Sequence, residues 1–263
     1  MTETRELLVN ESGAVCTLTI NTPQKRNVVT PSMLLELEEA FGRLALEDKI
    51  RCVVIRGSGG SAFSSGYDIA AIREDDMIRN FEGDNPLPRA IHAIETFPYP
   101  VIAMINGHAF GAGLEIAATC DIRISVDGCL FGMPPAKLGV VYSYRGVRRF
   151  LNLIGPGYTK ELFLTGRPVN PERAAAMGLV NFVVKPEELE EFTYTLAREI
   201  ADNAPLSMKA MKEMTNVWQR SLVMSPEDEA LLRELTLGVQ ESADYKEGQK
   251  AFAEKRKPVF KGK

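Results

Sequence analysis

Residues 101–121, VIAMINGHAFGAGLEIAATCD, restrict the possible folds more than any other segment. An apolar strand, Val101–Ile105, runs into a turn of small residues: Gly107, Gly111, Ala112 and Gly113. The turn opens a helix that carries one carboxylate, Glu115, among apolar neighbours. Small residues let the backbone come close to a ligand, and the first N–H groups of a helix have no internal partner. Free donors and the positive end of a helix dipole therefore meet at one spot. Such a spot stabilises an anion, or an oxygen that becomes one during a reaction. The same turn can also serve packing alone, so its meaning depends on segments 61–69 and 131–146.

The rest of the chain repeats the alternation. Leu7–Asn10 and Val15–Ile20 read as a hairpin closed at Ser12-Gly13. Pro31–Leu46 places Met33, Leu34, Leu37, Phe41 and Leu44 at helical spacing, with Thr30 as N-cap before Pro31. Cys52–Arg56, Val101–Ile105 and Asp121–Ser125 read as strands, with helices after the Gly107 turn and around Tyr144–Leu153. Strands alternating with helices specify an α/β core with largely parallel pairing. From Gly155 onward the pattern is helical (157–165, 171–177, 186–203, 205–222, 226–242 and 245–255), with one short strand at Leu179–Val184. Asn203-Ala204-Pro205 marks the best boundary, giving a core over 1–203 and a helical C-terminal region over 204–263. The acidic stretch Glu74–Pro88 reads either as a mobile segment beside the site or as a plain surface loop.

Composition excludes several classes. The net charge is −4 over 263 residues, which argues against broad binding to nucleic acid or to an anionic membrane. Basic residues do cluster at Arg145–Arg149 and Lys255–Lys263, as sites for a small phosphorylated ligand or as solvated surface. The start, MTETRELLVNES, is polar and acidic, unlike a signal peptide or a mitochondrial presequence, and no stretch is long and apolar enough to span a bilayer. A cytoplasmic location is expected. Cys16, Cys52, Cys120 and Cys129 lack CxxC spacing and read as reduced core residues. His92 and His108 lack a metal-binding frame, so no metal site is expected.

Residues 61–69, SAFSSGYDI, follow the strand Cys52–Arg56 through Gly57-Ser58-Gly59-Gly60. Gly66 in a turn lets the N–H of Tyr67 point away from its own chain into a cleft. Two such loops, at Tyr67 and at Ala112, supply convergent donors for one carbonyl oxygen, the geometry that holds an enolate or a tetrahedral oxyanion.

NTPQKRNVVT (21–30), SAFSSGYDI, INGHAFGAGLEIAATCDI (105–122), MGLVNFVV (177–184) and the ending AFAEKRKPVFKGK (251–263) together resemble the crotonase superfamily of enoyl-CoA hydratase/isomerase-like proteins. The resemblance runs through the whole chain in family order. It implies an α/β fold, a spiral of ββα units with a helical C-terminal trimerisation region, and a homotrimer or dimer of trimers. It implies an acyl-CoA ligand whose thioester oxygen sits between the N–H groups of Tyr67 and Ala112. Phe252 and Lys255 resemble residues that reach a neighbouring subunit's coenzyme A, Gly66, Asp68, Ile69 and Gly111 are expected to contact it, and Lys25 and Arg26, in the turn after Asn21-Thr22-Pro23, offer positive charge to its phosphates. No cofactor is implied beyond the coenzyme A of the substrate itself.

A hydratase of this family positions one water with two glutamates, which is general acid–base work by paired carboxylates. The first matches Glu115. The second belongs in FGMPPAKLG (131–139), at the place filled by Pro135, and no acidic residue lies between Gly132 and Gly155. Instead the segment offers Tyr142 and Tyr144. MPPAKLGVVY, KELFLTGRPVNPERAAAMGLVNFVV and DYKEGQKAFAEKRKPVF look most like the methylmalonyl-CoA decarboxylase branch, in which a tyrosine at the place of Tyr142 contacts the substrate carboxylate. That branch can carry His where this chain has Tyr67; a main-chain donor survives the change, while the acyl pocket is reshaped. Decarboxylation of a small 2-carboxyacyl-CoA needs the nascent enolate oxygen stabilised and needs no base, which suits a site with one carboxylate missing.

Each of these residues also has a plainer reading. Glu115 can be a first-turn dipole partner, Tyr142 a core aromatic, and Lys25 and Arg26 solvated turn charges. His108 reads as structural, His92 as a surface residue, Tyr144 as pocket wall, and Trp218 with the methionines as core. Three functions remain to be separated: the decarboxylase, an enoyl-CoA hydratase or isomerase using Glu115 and an unconventional second group such as Tyr142, and an acyl-CoA-binding or RNA-associating protein without turnover, the acidic balance arguing against RNA.

Overall fold

The computed structural model describes residues 5–68, 85–221 and 224–262. In chain order these residues form β1 (Leu7–Ser12), β2 (Val15–Ile20), α1 (Pro31–Glu47), β3 (Cys52–Gly57), β4 (Ala62–Ser64), α2 (Pro86–Thr96), β5 (Val101–Ile105) and β6 (His108–Phe110). They continue as α3 (Ala112–Thr119), β7 (Ile122–Val126), β8 (Phe131–Gly132), α4 (Pro135–Leu138), α5 (Tyr144–Thr165) and α6 (Pro171–Met177). The last elements are β9 (Phe182–Val184), α7 (Leu189–Asp202), α8 (Pro205–Arg220), α9 (Pro226–Glu241) and α10 (Ala243–Ala253). Most of Glu74–Pro88 and all of Ile69 lie outside the described residues.

Two compact units result: residues 1–131 with 169–217, and residues 132–168 with 218–263. The first holds a six-stranded sheet in the order β1-β2-β3-β5-β7-β9. β1 and β2 pair antiparallel, and every later neighbour is parallel. A smaller sheet has the order β4-β6-β8, with β4 and β6 parallel. The central strands are apolar runs buried along their length, as parallel strands covered on both faces must be.

Local chemistry explains the boundaries. Thr30 caps α1 by accepting a bond from the Met33 N–H at 3.1 Å, Pro31 occupies the first turn, and Met33, Leu34, Leu37, Phe41 and Leu44 are buried. The hairpin turn lies one residue beyond its expected place, because Ser12 still pairs with Val15 and Gly13 takes φ +61°. The turn after β5 contains a short strand, β6, fixed by the Ala109 N–H on the Leu130 carbonyl at 2.9 Å. α5 runs through both expected helical stretches, with a break at Gly155 (φ 71°, ψ 169°) followed by Pro156.

The compact units do not divide at 203/204. α8 lies in the first unit through Val217 because Met208 and Lys212 anchor it there. The Lys212 ammonium donates to the Tyr99 carbonyl at 2.9 Å and pairs with Asp121 at 2.7 Å. The other face of α8 is open, which corrects one expectation. Trp218 is 63% exposed, and Met211 and Met214 are exposed as well, so these three are not core. Met33, Met104, Met133 and Met177 are buried as expected.

All four cysteines are buried free thiols, and burial above all pushes each thiol up to about 12. Thiolate chemistry is therefore closed to the folded chain near neutral pH. Among the described residues no helix is long and apolar enough to cross a membrane.

In the second unit the chain end is tied back onto α10. Glu247 accepts from both Arg256 Nη atoms at 2.6 and 2.8 Å and from the Val259 N–H at 2.8 Å, while Asp244 accepts from the N–H groups of Lys261 and Gly262. The Arg256 guanidinium, with the Val259 N–H, holds the Glu247 carboxyl down at about 2. A depressed carboxylate contributes fully above the ordinary glutamate range, and the contribution is lost as pH falls through about 2. At neutral pH, Glu247→Gln should release the tail, and trypsin should cut after Lys255 or Arg256 severalfold faster than in the parent. Equal cleavage rates would show that the tail is held by other contacts.

Candidate active site

In the first unit the loop after β4 is zipped to the segment before α1. The Val29 N–H donates to the Gly66 carbonyl at 2.8 Å, and the Asp68 N–H donates to the Val29 carbonyl at 2.9 Å. The loop is further held by the Ser65 N–H on the Arg26 carbonyl at 3.0 Å and by the Gly66 N–H on Ser64 Oγ at 3.2 Å. Gly66 sits at φ +101°, a conformation an L side chain rarely takes. A Cβ there would stand 3.1 Å from the Phe110 carbonyl oxygen and 3.7 Å from the Ala112 nitrogen. The Tyr67 loop and the start of α3 are therefore neighbours.

Gly111 has φ 51° and ψ −125°, a backbone state open essentially to glycine alone, and it turns the chain from β6 into α3. Ala112 is buried at the first helical position, so its N–H has no intrahelical acceptor. A Cβ at Gly113 would fall 2.4 Å from Ser64 Cβ, so the close approach of the two loops requires glycine there. Glu115 follows in the first turn of α3, 6% exposed, its carboxylate at the positive end of the helix dipole.

Two asparagines that sequence reasoning passed over set the loops in place. Asn27, buried at φ +56°, donates through Nδ2 to the carbonyls of Ser58 at 2.9 Å and Ala62 at 2.7 Å. Asn106 accepts from the Gly57 N–H at 3.0 Å and donates to the Gly57 and Gly59 carbonyls at 2.9 and 2.6 Å. The signal was available as an amide beside a turn in both QKRN and INGH. What it clamps lies some 31 and 49 positions away and is not written locally.

The positions expected to meet coenzyme A do not all face one way. Lys25 pairs with Asp68 at 3.1 Å, beside Tyr67. Arg26 instead lines a concavity of about 690 Å³ with Arg56, Asn106, His108 and Glu190, where the strands β3, β5 and β7 end. Neither Tyr67 nor Ala112 lines it. His108 is exposed, and its Nδ1 accepts from the Leu130 N–H at 3.0 Å, a structural role. His92 is exposed on α2.

In the second unit Pro135 is buried at the start of the short helix α4, and Ser143 caps α5 by accepting from the Gly146 N–H at 3.2 Å. Tyr142, between them, is half-buried and packs edge-on against Phe163 at 5.6 Å, which in turn meets Phe150 at 5.1 Å. It lines an open concavity of about 870 Å³ with Val140, Val141 and Phe260 among its walls. Tyr144 is half-buried, with the Arg148 guanidinium 5.9 Å from its ring centroid. Phe252 and Lys255 lie exposed at the end of α10, Lys255 at φ +54°. Among the described residues no group of three or more His, Cys, Asp or Glu could hold a metal ion.

A family profile describing enoyl-CoA hydratases and isomerases matches residues 10–263. Methylmalonyl-CoA decarboxylase of Escherichia coli K12 is 33% identical over 249 residues, covering 94% of this chain and 95% of the relative. Short-chain-enoyl-CoA hydratase of Clostridium acetobutylicum is 32% identical over 257 residues, covering 97% of each. Among solved structures, methylmalonyl-CoA decarboxylase in complex with 2-nitronate-propionyl-CoA superposes with a TM-score of 0.93 at 32% identity, over 98% of this chain and 99% of that one. Enoyl-CoA hydratase from Bacillus anthracis superposes with a TM-score of 0.77 at 30% identity, over 98% of this chain and 100% of that one.

Proposed function

The chain belongs to the enoyl-CoA hydratase/isomerase family, and from that membership and its departures we propose that it decarboxylates a small 2-carboxyacyl-CoA resembling methylmalonyl-CoA. The observation that carries the reading is Pro135, at the place of a hydratase's second glutamate, with no acidic residue from Gly132 to Gly155. Sequence identity alone does not separate the decarboxylase relative from the hydratase relative, at 33% against 32%. The backbone likeness supports the decarboxylase reading, with a TM-score of 0.93 to the decarboxylase structure against 0.77 to the Bacillus anthracis hydratase structure.

In the proposed reaction the bond from the α-carbon to the carboxylate breaks, CO2 leaves, and the electron pair moves into a thioester enolate. The N–H groups of Tyr67 and Ala112 stabilise that oxygen, and the dipole of α3 adds to them. A proton from solvent then completes the product acyl-CoA. The Tyr142 hydroxyl donates to the departing carboxylate and holds it out of the thioester plane, aligned for cleavage. Glu115 repels that carboxylate when ionised, so in this reading it shapes the pocket and moves no proton. Lys25, Gly66, Asp68, Ile69, Gly111, Phe252 and Lys255 are the proposed coenzyme A contacts; Arg26, expected among them, lines the separate concavity with Arg56 and Glu190 instead.

The alternative is hydration of an enoyl-CoA with Glu115 holding the water, favoured by the likeness to the clostridial hydratase. Incubating the purified chain with malonyl-, methylmalonyl-, ethylmalonyl- and crotonyl-CoA, with products read by mass, separates the two. CO2 loss from a malonyl-type thioester is expected. Rapid hydration of crotonyl-CoA with no CO2 from any of the others overturns the decarboxylase reading, and coenzyme A binding without any product supports a non-catalytic role.

The proposed assembly is a homotrimer or a dimer of trimers. Met211, Met214 and Val217 lie exposed on α8 of the first unit, and Leu231 and Leu235 on α9 of the second, apolar faces that burial against another chain would cover. Met208, otherwise a natural member of that surface, is buried within its own unit, and Leu222 lies outside the described residues. Sedimentation at micromolar concentration is expected to give the mass of three or six chains; a monomer would contradict the proposal.

A further inference from the structure

We propose that the substrate's 2-substituent is an alkyl chain longer than methyl, up to about four carbons, seated in the concavity beside Tyr142. The inference rests on the decarboxylase reading, in which Tyr142 holds the departing carboxylate. The carboxylate and the 2-alkyl group hang from the same carbon. A side chain that grips the first therefore stands next to the second.

Tyr142 is one wall of the open concavity of about 870 Å³ in the second unit. Around it the wall is built from Val140, Val141, Leu151, Phe163 and Val239, none of which has a side-chain hydrogen-bonding group. Four of them, Val140, Val141, Leu151 and Val239, are only half-buried. Apolar side chains left partly open along a concave wall are the material of a ligand pocket.

The hydroxyls of Thr159 and Ser242 and the carboxylate of Asp244 on the same walls are already engaged. Thr159 Oγ1 donates to the Gly155 carbonyl at 2.8 Å. Ser242 Oγ donates to the Val239 carbonyl at 2.6 Å and accepts from the Tyr245 N–H at 3.1 Å. Asp244 accepts from the N–H groups of Lys261 and Gly262 at 2.6 and 2.7 Å. Lys160 is exposed. Against the stretch formed by Val140, Val141, Leu151, Phe163 and Val239, a hydroxyl or second carboxylate would lose water without gaining a side-chain partner, whereas a methylene gains by leaving water. A methyl group covers little of this surface.

The test is a series of malonyl-, methylmalonyl-, ethylmalonyl-, propylmalonyl- and butylmalonyl-CoA, with CO2 release measured on the whole chain. Each methylene buried is worth about 0.8 kcal/mol, so kcat/KM should rise about fourfold per added carbon beyond methyl before levelling off. Leu151→Trp and Val239→Phe, which fill the concavity, should each lower the butyl-to-methyl ratio of kcat/KM at least tenfold. That ratio is internal to one preparation, so a reduced yield of folded protein cancels out of it. CO2 from methylmalonyl-CoA with kcat/KM flat or falling for longer chains overturns this inference and leaves the decarboxylase reading standing. A ratio unmoved in both variants also overturns it. No CO2 from any member of the series overturns the decarboxylase reading, and this inference with it.

Discussion

Gly111→Ala is expected to lower kcat for CO2 release by about 100-fold or more, the loss seen when one oxyanion donor is removed. Gly111 holds φ 51° and ψ −125° where β6 turns into α3, and the next N–H is that of Ala112. A Cβ makes that backbone state cost roughly 1–3 kcal/mol, so the peptide rotates and carries the Ala112 donor with it. The same strain should lower Tm, by about 2–4 °C for each kcal/mol in a chain of this size. Affinity for free coenzyme A, which has no thioester oxygen, should change little. A folded variant with kcat near that of the parent would remove Ala112 from the proposed oxyanion hole.

Tyr142→Phe and Glu115→Gln are expected to separate the two reactions by the order of their effects. Losing one hydrogen bond made in the transition state costs about 1–3 kcal/mol, so Tyr142→Phe should slow CO2 release roughly tenfold to a hundredfold. Its ring packing against Phe163 survives, so binding of an unreactive acyl-CoA should hold. Glu115→Gln should disturb decarboxylation modestly, because no base is required. In a hydratase the order reverses, since Glu115 holds the water and its amide loses nearly all turnover. Steady-state kinetics of both variants with methylmalonyl-CoA and crotonyl-CoA read the order directly. A Tyr142→Phe variant that releases CO2 at the parent rate would sink the proposed anchor.

Much of this was legible in the chain as written. Thr30 before Pro31 foretold the start of α1 because a cap and a fixed φ act within one turn. Gly66 and Gly111 announced two turns beside helix and strand ends, and both hold positive φ. The α/β class followed from apolar runs separated by helical periodicity, and the relatives carry the same fold. Where a turn would contain a short strand, as at β6, was not legible, because its partner Leu130 lies 21 positions beyond Ala109 and long-range pairing decides it.

By itself the sequence determined the fold class, the caps, the glycines that bring backbone close to backbone, and the absence of a carboxylate around Pro135. All of these act through neighbours in the chain or through residue type alone. Tertiary structure decided the rest. Periodicity marks the apolar side of a helix, but it does not say whether the same chain covers that side, so Trp218 and Met214 read as core and stand exposed on α8. Adjacent charges at Lys25 and Arg26 read alike, yet the chain turns at Arg26 with φ +56°, and Lys25 meets Asp68 while Arg26 lines a separate concavity. Asn27 and Asn106 became the clamps of the donor loop only once folding brought carbonyls some 31 and 49 positions away within hydrogen-bond reach. Buried polar groups must find partners wherever the fold delivers them.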